Sequence, residues 1–257
     1  MHVYARGYPL RPGWTAAVPD APLAAYRRVQ RALGLARTIV VQANAYGFDN
    51  TCVENALHEL GASARGVATV RPDVADAELA RLHAAGFRGA RGHLLPGAQL
   101  TWRDVATIAA RIAPLGWHVQ LQFDGRELPE RLALIASLPT DVVLDHNGKF
   151  LEPVAASHPS FAALMRLLER GRTWVKLSAP YETSRAGPPR YDDVSALATA
   201  LARTHPERCL WGTNWPHPGT AAPPSESALL ALFGEWAPDA ATRARILVDN
   251  PARLYEF

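Results

Sequence analysis

The sequence predicts an α/β fold of the (β/α)8 TIM-barrel type. Seven apolar segments rich in β-branched residues alternate with amphipathic segments at near-regular spacing along the 257 residues. Most of the apolar segments are continuous rather than alternating, which is typical of strands buried on both faces of a parallel sheet. Polar residues repeatedly follow their C-terminal ends. A doubly wound open sheet would give the same alternation, but the uniform spacing and the polar strand ends favour the closed barrel.

The apolar segments are predicted to form parallel strands joined by right-handed crossovers. In chain order they are Thr38–Ala43, Arg65–Val70, Gly89–Leu94, His118–Phe123, Val142–His146, Trp174–Ser178 and Leu210–Asn214. A barrel needs one more strand before the first of these, and His2-Val3-Tyr4 would be the end of it. We therefore expect a truncated first strand.

The segments between the strands carry apolar residues at helical spacing. Leu23, Tyr26 and Val29 repeat in this way. Pro22 precedes them and Gly34 closes the stretch, and both residue types are common at those two helix boundaries. The same spacing occurs in Val53–Leu60, Leu79–Leu82, Phe161–Leu168 and Val194–Leu201.

One further helix is predicted from its start signal. Thr101 followed by Asp104 forms a capping box before the apolar residues Ile108 and Ile112. No linker, internal repeat or low-complexity tract interrupts the chain, so residues 1–257 are expected to form a single domain.

Charge and cysteine content narrow the function classes. The net charge is +3, and the arginines are scattered without a run of like charge, which argues against a nucleic-acid-binding face. Cys52 and Cys209 have no disulfide or metal-ligand spacing, so buried free thiols are expected. No segment has the pattern of a signal peptide or a membrane span, which predicts a cytoplasmic protein without a membrane partner. A small anionic ligand remains compatible with this composition.

The most informative segment follows the last predicted strand. The apolar run ending at Gly212 leads into Thr213–Pro218, which contains a carboxamide, an indole and an imidazole. Polar side chains at the C-terminal end of a buried strand are where barrel proteins place their sites. Asn214 and His217 are therefore candidate site residues.

Residues Gly212–Pro218 resemble the Gly-Thr-Asp-Trp-Pro-His-Pro signature that ends the last strand in one branch of the amidohydrolase superfamily. That branch contains 2-pyrone-4,6-dicarboxylate hydrolases and sugar-lactone hydrolases. Four other segments are similar to family segments in the expected order: Val41–Asn50, Gly86–Gly92, Leu144–Lys149 and Asn250–Tyr255. The start, Met1–Tyr4, resembles the strand-one His-x-His motif cut between its histidines, with His2 as the second. Asn214 stands where the family has aspartate.

The resemblance implies a metal-independent barrel without a cofactor. A zinc site needs three protein ligands, and a neutral carboxamide is a poor ligand for zinc. The strand ends at Gln122 and Asn214 lack the histidine and aspartate of metal-bearing relatives, so a divalent metal such as zinc is not expected.

The resemblance also implies hydrolysis of a lactone or cyclic ester of a small carboxylic acid. In this interpretation His2 and His146 polarise the carbonyl or move protons, and Asn214 orients the nucleophile. Asn cannot take up a proton, although it donates and accepts hydrogen bonds. A lactone isomerase is therefore an alternative, because a hydroxyl already on the substrate needs less activation than water. A non-catalytic ligand-binding barrel is the opposing class.

Asp145 is expected either to fix the tautomer of His146 or to cap the strand.

Basic and polar residues at the strand ends are candidates for substrate binding. Arg91 and Lys149 are expected to hold the substrate carboxylate. Further candidates are Lys176 and Arg185 as cations, and Gln42, Tyr46, Gln122, Ser178, Tyr181 and His217 as hydrogen-bonding groups. For each cation a structural ion pair is the competing explanation. The loop His93–Gly97 has no arginine or lysine, which disfavours a pyrone dicarboxylate and favours a less charged lactone. The sequence leaves open whether the protein is a monomer or a homo-oligomer.

Overall fold

A computed structural model describes residues 1–257 and contains one seven-stranded parallel sheet whose strand order follows the sequence. The strands are β1 (Thr38–Val41), β2 (Ala64–Ala68), β3 (Phe87–His93), β4 (His118–Gln122), β5 (Val142–Leu144), β6 (Thr173–Leu177) and β7 (Cys209–Trp211). All seven predicted strands are confirmed, and each ends one to three residues earlier than expected because the chain turns into a loop there.

The eighth strand of the expected barrel is not present as a strand. Residues Met1 and His2 instead bridge the two edges of the curled sheet. The Met1 carbonyl accepts the N–H of Val41 at 2.9 Å, and the N–H of His2 donates to the carbonyl of Trp215 at 2.8 Å. The next residues turn away and make a single antiparallel bridge at Tyr4. The Met1 amino group adds a third bond, to the Ile39 carbonyl at 3.1 Å, but these three bonds involve only two residues, so the sheet has seven strands and a short N-terminal bridge.

Helices connect the strands and cover the outside of the sheet. They are α1 (Leu23–Ala32), α2 (Thr51–Leu60), α3 (Asp76–Ala84), α4 (Trp102–Ile112), α5 (Leu128–Ser137), α6 (Pro159–Glu169), α7 (Asp192–Thr204), α8 (Glu226–Trp236), α9 (Ala240–Ala244) and α10 (Asn250–Tyr255). The six helices that the sequence predicted are confirmed. The capping box at the start of α4 is present, with Thr101 Oγ1 accepting the N–H of Asp104 and Asp104 Oδ2 accepting the N–H of Thr101 at 2.8 Å.

Apolar packing closes the N-terminal end of the sheet. Tyr255 of α10 lies edge-on against the ring of His118, the first residue of β4, with centroids 5.0 Å apart. Both side chains are buried, and burial lowers the pKa of His118 to about 3, so this imidazole is neutral. The polar residues that follow the strands lie at the opposite, C-terminal end of the sheet.

Every helix in the structure is too short or too polar to cross a lipid bilayer.

Candidate active site

A cavity of about 480 Å³ reaches the C-terminal ends of the strands and continues along the opening between β1 and β7. Its polar lining comes from four strands or the loops after them and from the N-terminal bridge. The polar residues that carry the argument are His2, Gln120, Asp145, His146, Lys176, Ser178 and Asn214. Segments far apart in the sequence thus place two imidazoles, a carboxylate, an ammonium, two carboxamides and a hydroxyl around one space.

The turn after β5 presents His146 in an unusual backbone conformation. His146, Asn147, Gly148 and Lys149 have φ values of 51°, 59°, 92° and 51°, so four consecutive residues lie in the left-handed region. Only glycine adopts this region without steric cost, and each other residue costs on the order of 1–3 kcal/mol. Strain of this kind concentrates at functional sites, which supports a role for the turn.

His146 is buried and neutral. Its Nδ1 lies 2.9 Å from Ser178 Oγ. Its Nε2 lies 3.9 Å from Oε1 of Glu182. Burial, only partly opposed by Glu182 and Asp145, lowers the pKa of His146 to about 4. The imidazole is therefore available at neutral pH to polarise a carbonyl or to exchange a proton.

Asp145 does not orient His146, which corrects one of the two roles expected for it. Its Oδ1 lies 3.1 Å from Lys176 Nζ, and its two oxygens lie 3.0 and 3.2 Å from Gln120 Nε2. Burial alone would raise the pKa of Asp145, but the charge of Lys176 above all, together with that of Arg91, holds it well below its ordinary value. Asp145 thus compensates a buried lysine, and Ser178 is the hydrogen-bonding partner of His146.

Arg91 connects three parts of the site. Its guanidinium donates to the Gln42 carbonyl at 2.9 Å and to the Gln122 side-chain oxygen, and lies 3.9 Å from Asp145 Oδ2. The side chain is only 6% exposed. Gln122 therefore positions Arg91, and Arg91 brings a permanent positive charge to the strand ends.

Asn214 is hydrogen-bonded on its donor side. The backbone of Asn214 lies in the left-handed region with φ 56°, which asparagine tolerates better than most residues. Its Nδ2 donates to the Tyr181 hydroxyl at 2.9 Å and to Glu182 Oε1 at 2.7 Å. Both hydrogens of the carboxamide are thereby used, and its orientation is determined by these two acceptors.

Behind Asn214 lies a chain of three hydrogen-bonded side chains. Tyr181 Oη lies 2.7 Å from His217 Nδ1, and His217 Nε2 lies 3.2 Å from Glu226 Oε1 at the start of α8. Because Tyr181 accepts from Asn214, its own proton goes to His217 Nδ1, and His217 Nε2–H donates to Glu226. Burial raises the pKa of Tyr181, which keeps the phenol protonated. His217 therefore supports Asn214 through Tyr181.

Glu182 is a site residue that the sequence analysis did not select. It follows β6 immediately after Tyr181, and its Oε2 accepts the ammonium group of Lys149. Burial would raise the pKa of Glu182, but the charge of Lys149 and the hydrogen bonds from Lys149 and Asn214 hold it below the ordinary value, so the carboxylate is ionised. The signal available in the sequence was an acidic residue four positions after the end of a buried strand, in a segment already selected for Ser178 and Tyr181.

His2 lies between the C-terminal end of β1 and the loop after β7. Its Nδ1 lies 2.9 Å from the Val41 carbonyl, which can only accept, so Nδ1 carries the proton and Nε2 carries the lone pair. Burial, followed by the charge of Arg91, lowers the pKa of His2 well below its ordinary value. The structure thus brings His2 to the same cavity as His146 and Asn214.

Three of the residues expected to bind substrate do not line the cavity and bind other parts of the protein instead. Gln42 donates to the carbonyls of Gly47 and Asp49 at 3.0 and 2.6 Å and holds a loop. Tyr46 accepts the Ala5 N–H at 3.0 Å and fastens the N-terminal segment. The Arg185 side chain is 72% exposed and pairs with Glu152 at 3.3 Å, outside the cavity. These residues satisfy backbone groups or surface charge, which residue type alone did not reveal.

The donor set at the strand ends does not fit zinc. No three His, Cys, Asp or Glu side chains converge as ligands. Both carboxylates are paired with lysines, and the position after β7 is a carboxamide.

Comparison with known proteins gives consistent similarities. The sequence profile described as Amidohydrolase matches residues 1–257. The chain is 37% identical to D-galactarolactone isomerase of Agrobacterium fabrum over 262 residues, covering 100% of this chain and 89% of that protein. It is 38% identical to 2-pyrone-4,6-dicarboxylate hydrolase of Comamonas testosteroni over 267 residues, covering 99% and 88%. A crystal structure of an Agrobacterium tumefaciens protein in its apo form superposes with a TM-score of 0.93 at 36% identity, covering 100% and 93%.

Proposed function

The chain belongs to the amidohydrolase family, and from this premise we propose that it is a lactonase-like hydrolase that opens a lactone or related cyclic ester of a small carboxylic acid. The observation that carries the proposal is the neutral His146 imidazole, placed in one cavity with His2, Asn214 and the buried Lys176. The cavity volume suits a small ring rather than a polymer.

The charges at the strand ends favour a substrate with one carboxylate. Arg91, Lys149 and Lys176 bring three positive charges, and Asp145 and Glu182 bring two negative ones. With the histidines neutral, one positive charge remains uncompensated. A monoanionic lactone would neutralise it, whereas a dicarboxylate would place a second negative charge in a buried site at a cost.

In this proposal the protein polarises the ester and positions the nucleophile. His146 Nε2 donates to the carbonyl oxygen of the ester, Arg91 and Lys149 attract the carboxylate, and Ser178 holds the imidazole by its Nδ1. Hydrogen bonds aimed at a developing oxyanion are typically worth about 2.7–4 kcal/mol each. Metal independence is part of the proposal, since the donor set fits the chemistry of imidazole and ammonium groups better than that of zinc.

Lactone isomerisation is the second candidate, and Asn214 is the observation that favours it. At the position where the family has aspartate, the carboxamide cannot accept a proton from water. A hydroxyl already on the bound lactone attacks with high effective concentration and depends less on such a base. We further propose that residues 1–2 stand in the place of a first barrel strand, since they bridge β1 and the loop after β7.

A lactone panel followed by NMR tests the proposal. Five- and six-membered sugar lactones with one carboxylate, and a pyrone dicarboxylate, are incubated with the protein in ¹⁸O-labelled water, with and without a chelator. We expect turnover of a monocarboxylate lactone that the chelator does not change. Incorporation of one ¹⁸O with ring opening identifies hydrolysis, and ring migration without incorporation identifies isomerisation.

His146→Asn is the variant that links turnover to the site. It should lower kcat at least about 10²-fold if the imidazole polarises or protonates the reacting group. His158→Asn is the matched control, because His158 only caps α6 with its side chain, a role that asparagine also fills. The absence of turnover on the whole panel would contradict the proposal and favour a ligand-binding barrel.

A further inference from the structure

We propose that Glu182 is the proton acceptor of this site and that Asn214 serves to hold it, so that the two residues together replace the aspartate of the family position. The inference rests on the proposed lactone chemistry and adds a catalytic residue to it. The observation is the juxtaposition of a buried carboxylate, a carboxamide and an imidazole from the loops after β6, β7 and β5.

Glu182 has an oxygen available next to His146. Oε2 receives Lys149, while Oε1 receives the Asn214 amide at 2.7 Å and lies 3.9 Å from His146 Nε2. A carboxylate oxygen accepts two hydrogen bonds, so Oε1 retains one free acceptor site. A separation of 3.9 Å is too long for a direct hydrogen bond, so His146 Nε2–H stays available for the carbonyl oxygen of the ester while a hydroxyl nucleophile binds the free acceptor site of Glu182 Oε1 beside it.

The other buried carboxylate is less suited to the task. Asp145 is approached by two cations, Lys176 and Arg91, and its oxygens also receive Gln120. Glu182 is approached by one lysine and by neutral donors. The less compensated carboxylate is the better base, and the Glu182 side chain is 18% exposed against 2% for Asp145.

The presence of Glu182 explains why residue 214 is an asparagine rather than an aspartate. An aspartate at position 214 would place a second carboxylate within hydrogen-bonding distance of Glu182 Oε1, and two such groups do not both ionise readily. The carboxamide instead donates one hydrogen to Glu182 and the other to Tyr181, whose own proton is directed to His217. This arrangement turns the amide nitrogen, not its oxygen, toward Glu182.

The proton balance closes without another reactant. As the oxygen of water or of a substrate hydroxyl bonds to the ester carbonyl carbon, its proton passes to Glu182 Oε1. When the carbon–oxygen bond of the lactone breaks, that proton passes to the leaving ring oxygen. Glu182 returns to the carboxylate, Lys149 keeps it in place, and His146 donates to the carbonyl oxygen throughout.

The experiment is the pH dependence of kcat and KM for the lactone that the parent converts, in the parent, Glu182→Gln, Glu182→Asp and Asn214→Asp. We expect Glu182→Gln to lose about 10²–10⁴-fold in kcat with a KM changed only a few-fold, and Glu182→Asp to retain part of the rate. Glu152→Gln is the matched control. Glu152 also pairs with basic side chains, Arg126 and Arg185, but lies outside the cavity, so this variant should keep the parent's rate.

The Asn214→Asp variant tests whether Glu182 acts as a base or has only a structural role. The parent's kcat/KM should fall on acidification only below the ordinary glutamate range, because the neighbours of Glu182 lower its pKa. The titratable groups around it are His146 and Lys149 from the turn after β5, Tyr181, His217 from the loop after β7 and Tyr4 from the N-terminal segment. A carboxylate at position 214 should move this acid limb to higher pH.

The outcomes separate this inference from the proposed function. A parent that converts no lactone overturns both. An active parent whose Glu182→Gln variant keeps its kcat, with circular dichroism showing an intact fold, overturns only the role of Glu182. Increased hydrolysis by Asn214→Asp without a shifted acid limb would also overturn it, because aspartate would then act as the base by itself.

Discussion

At the scale of single residues, the buried charges at the strand ends connect function to stability. Lys176 lies within β6 and is compensated by Asp145 at 3.1 Å, with both side chains largely buried. Burial lowers the pKa of Lys176, while Asp145 opposes that shift. Each of these charges offsets the free-energy cost of burying the other. Removing one partner leaves the other charge buried and unpaired, which destabilises the fold.

Asp145→Asn should destabilise the protein by about 3–5 kcal/mol at neutral pH, because it leaves Lys176 buried without its counter-ion. The pKa of Asp145 is lower in the folded protein, so its contribution is fully present above about pH 3.9, its ordinary unfolded value, and is lost as the pH falls toward the folded pKa. The difference between parent and variant in urea unfolding should accordingly shrink below about pH 3.9.

Asp20→Asn provides the control for this stability measurement. Asp20 pairs with Arg6 at 3.6 Å with both side chains mostly exposed, so its loss should change stability by at most about 1 kcal/mol. Equal effects of the two substitutions would show that Asp145 is not a compensating charge.

At the scale of elements, the loop after β4 packs directly on the turn that carries His146 and Lys149. A methyl group built at Gly125 would lie 2.1 Å from the carbonyl oxygen of Gly148 and 2.8 Å from the ring of Phe150. The Gly125 N–H also donates to the Lys149 carbonyl at 3.0 Å. The left-handed turn is thus held in place by a backbone contact that admits only glycine.

Gly125→Ala should lower kcat/KM at least about 10-fold on the preferred lactone and cost about 1–3 kcal/mol of stability, because the turn must move away from the added methyl group. Enzyme kinetics and urea unfolding measure the two effects. The control is Gly234→Ala in α8, where a methyl group meets no atom within 4 Å and should stabilise the helix by about 0.5–1 kcal/mol. Full activity in Gly125→Ala would contradict the positioning role of this contact.

At the scale of the whole molecule, the sheet and the N-terminal bridge enclose both cysteines. Cys52 lies in α2 with its thiol 3.7 Å from the Val3 carbonyl, and Cys209 lies in β7. Burial raises the pKa of Cys52 to about 11 and raises that of Cys209 further. Both thiols are therefore unreactive in the folded chain.

We expect neither thiol to react with an aromatic disulfide reagent at pH 8 until urea unfolds the protein, and both to become reactive at one urea concentration if residues 1–257 unfold as a single domain. Cys52→Ala and Cys209→Ala assign the two reactions. Reaction of Cys52 well before Cys209 would show that the N-terminal segment and α2 open separately, which would contradict a single cooperative unit.

The amino-acid sequence by itself determined the seven strands, six of the helices, the capping box at Thr101 and the candidate residues at the strand ends. These features follow from local patterns, because apolar periodicity and cap residues act over a few positions. The family resemblance likewise depended on short motifs such as Gly212–Pro218, and the profile over the whole chain confirms it.

Only the tertiary structure decided which polar side chains meet and what each one compensates. Glu182 joins Lys149, Asn214 and His146 from three separate loops, while Gln42 and Tyr46 turn to backbone groups instead of the cavity. Asp145 binds Lys176 rather than orienting His146, and residues 1–2 bridge the sheet edges without forming a strand. Such partnerships join residues distant in sequence, and the energy of a buried charge depends on its neighbours in space, which no local pattern specifies.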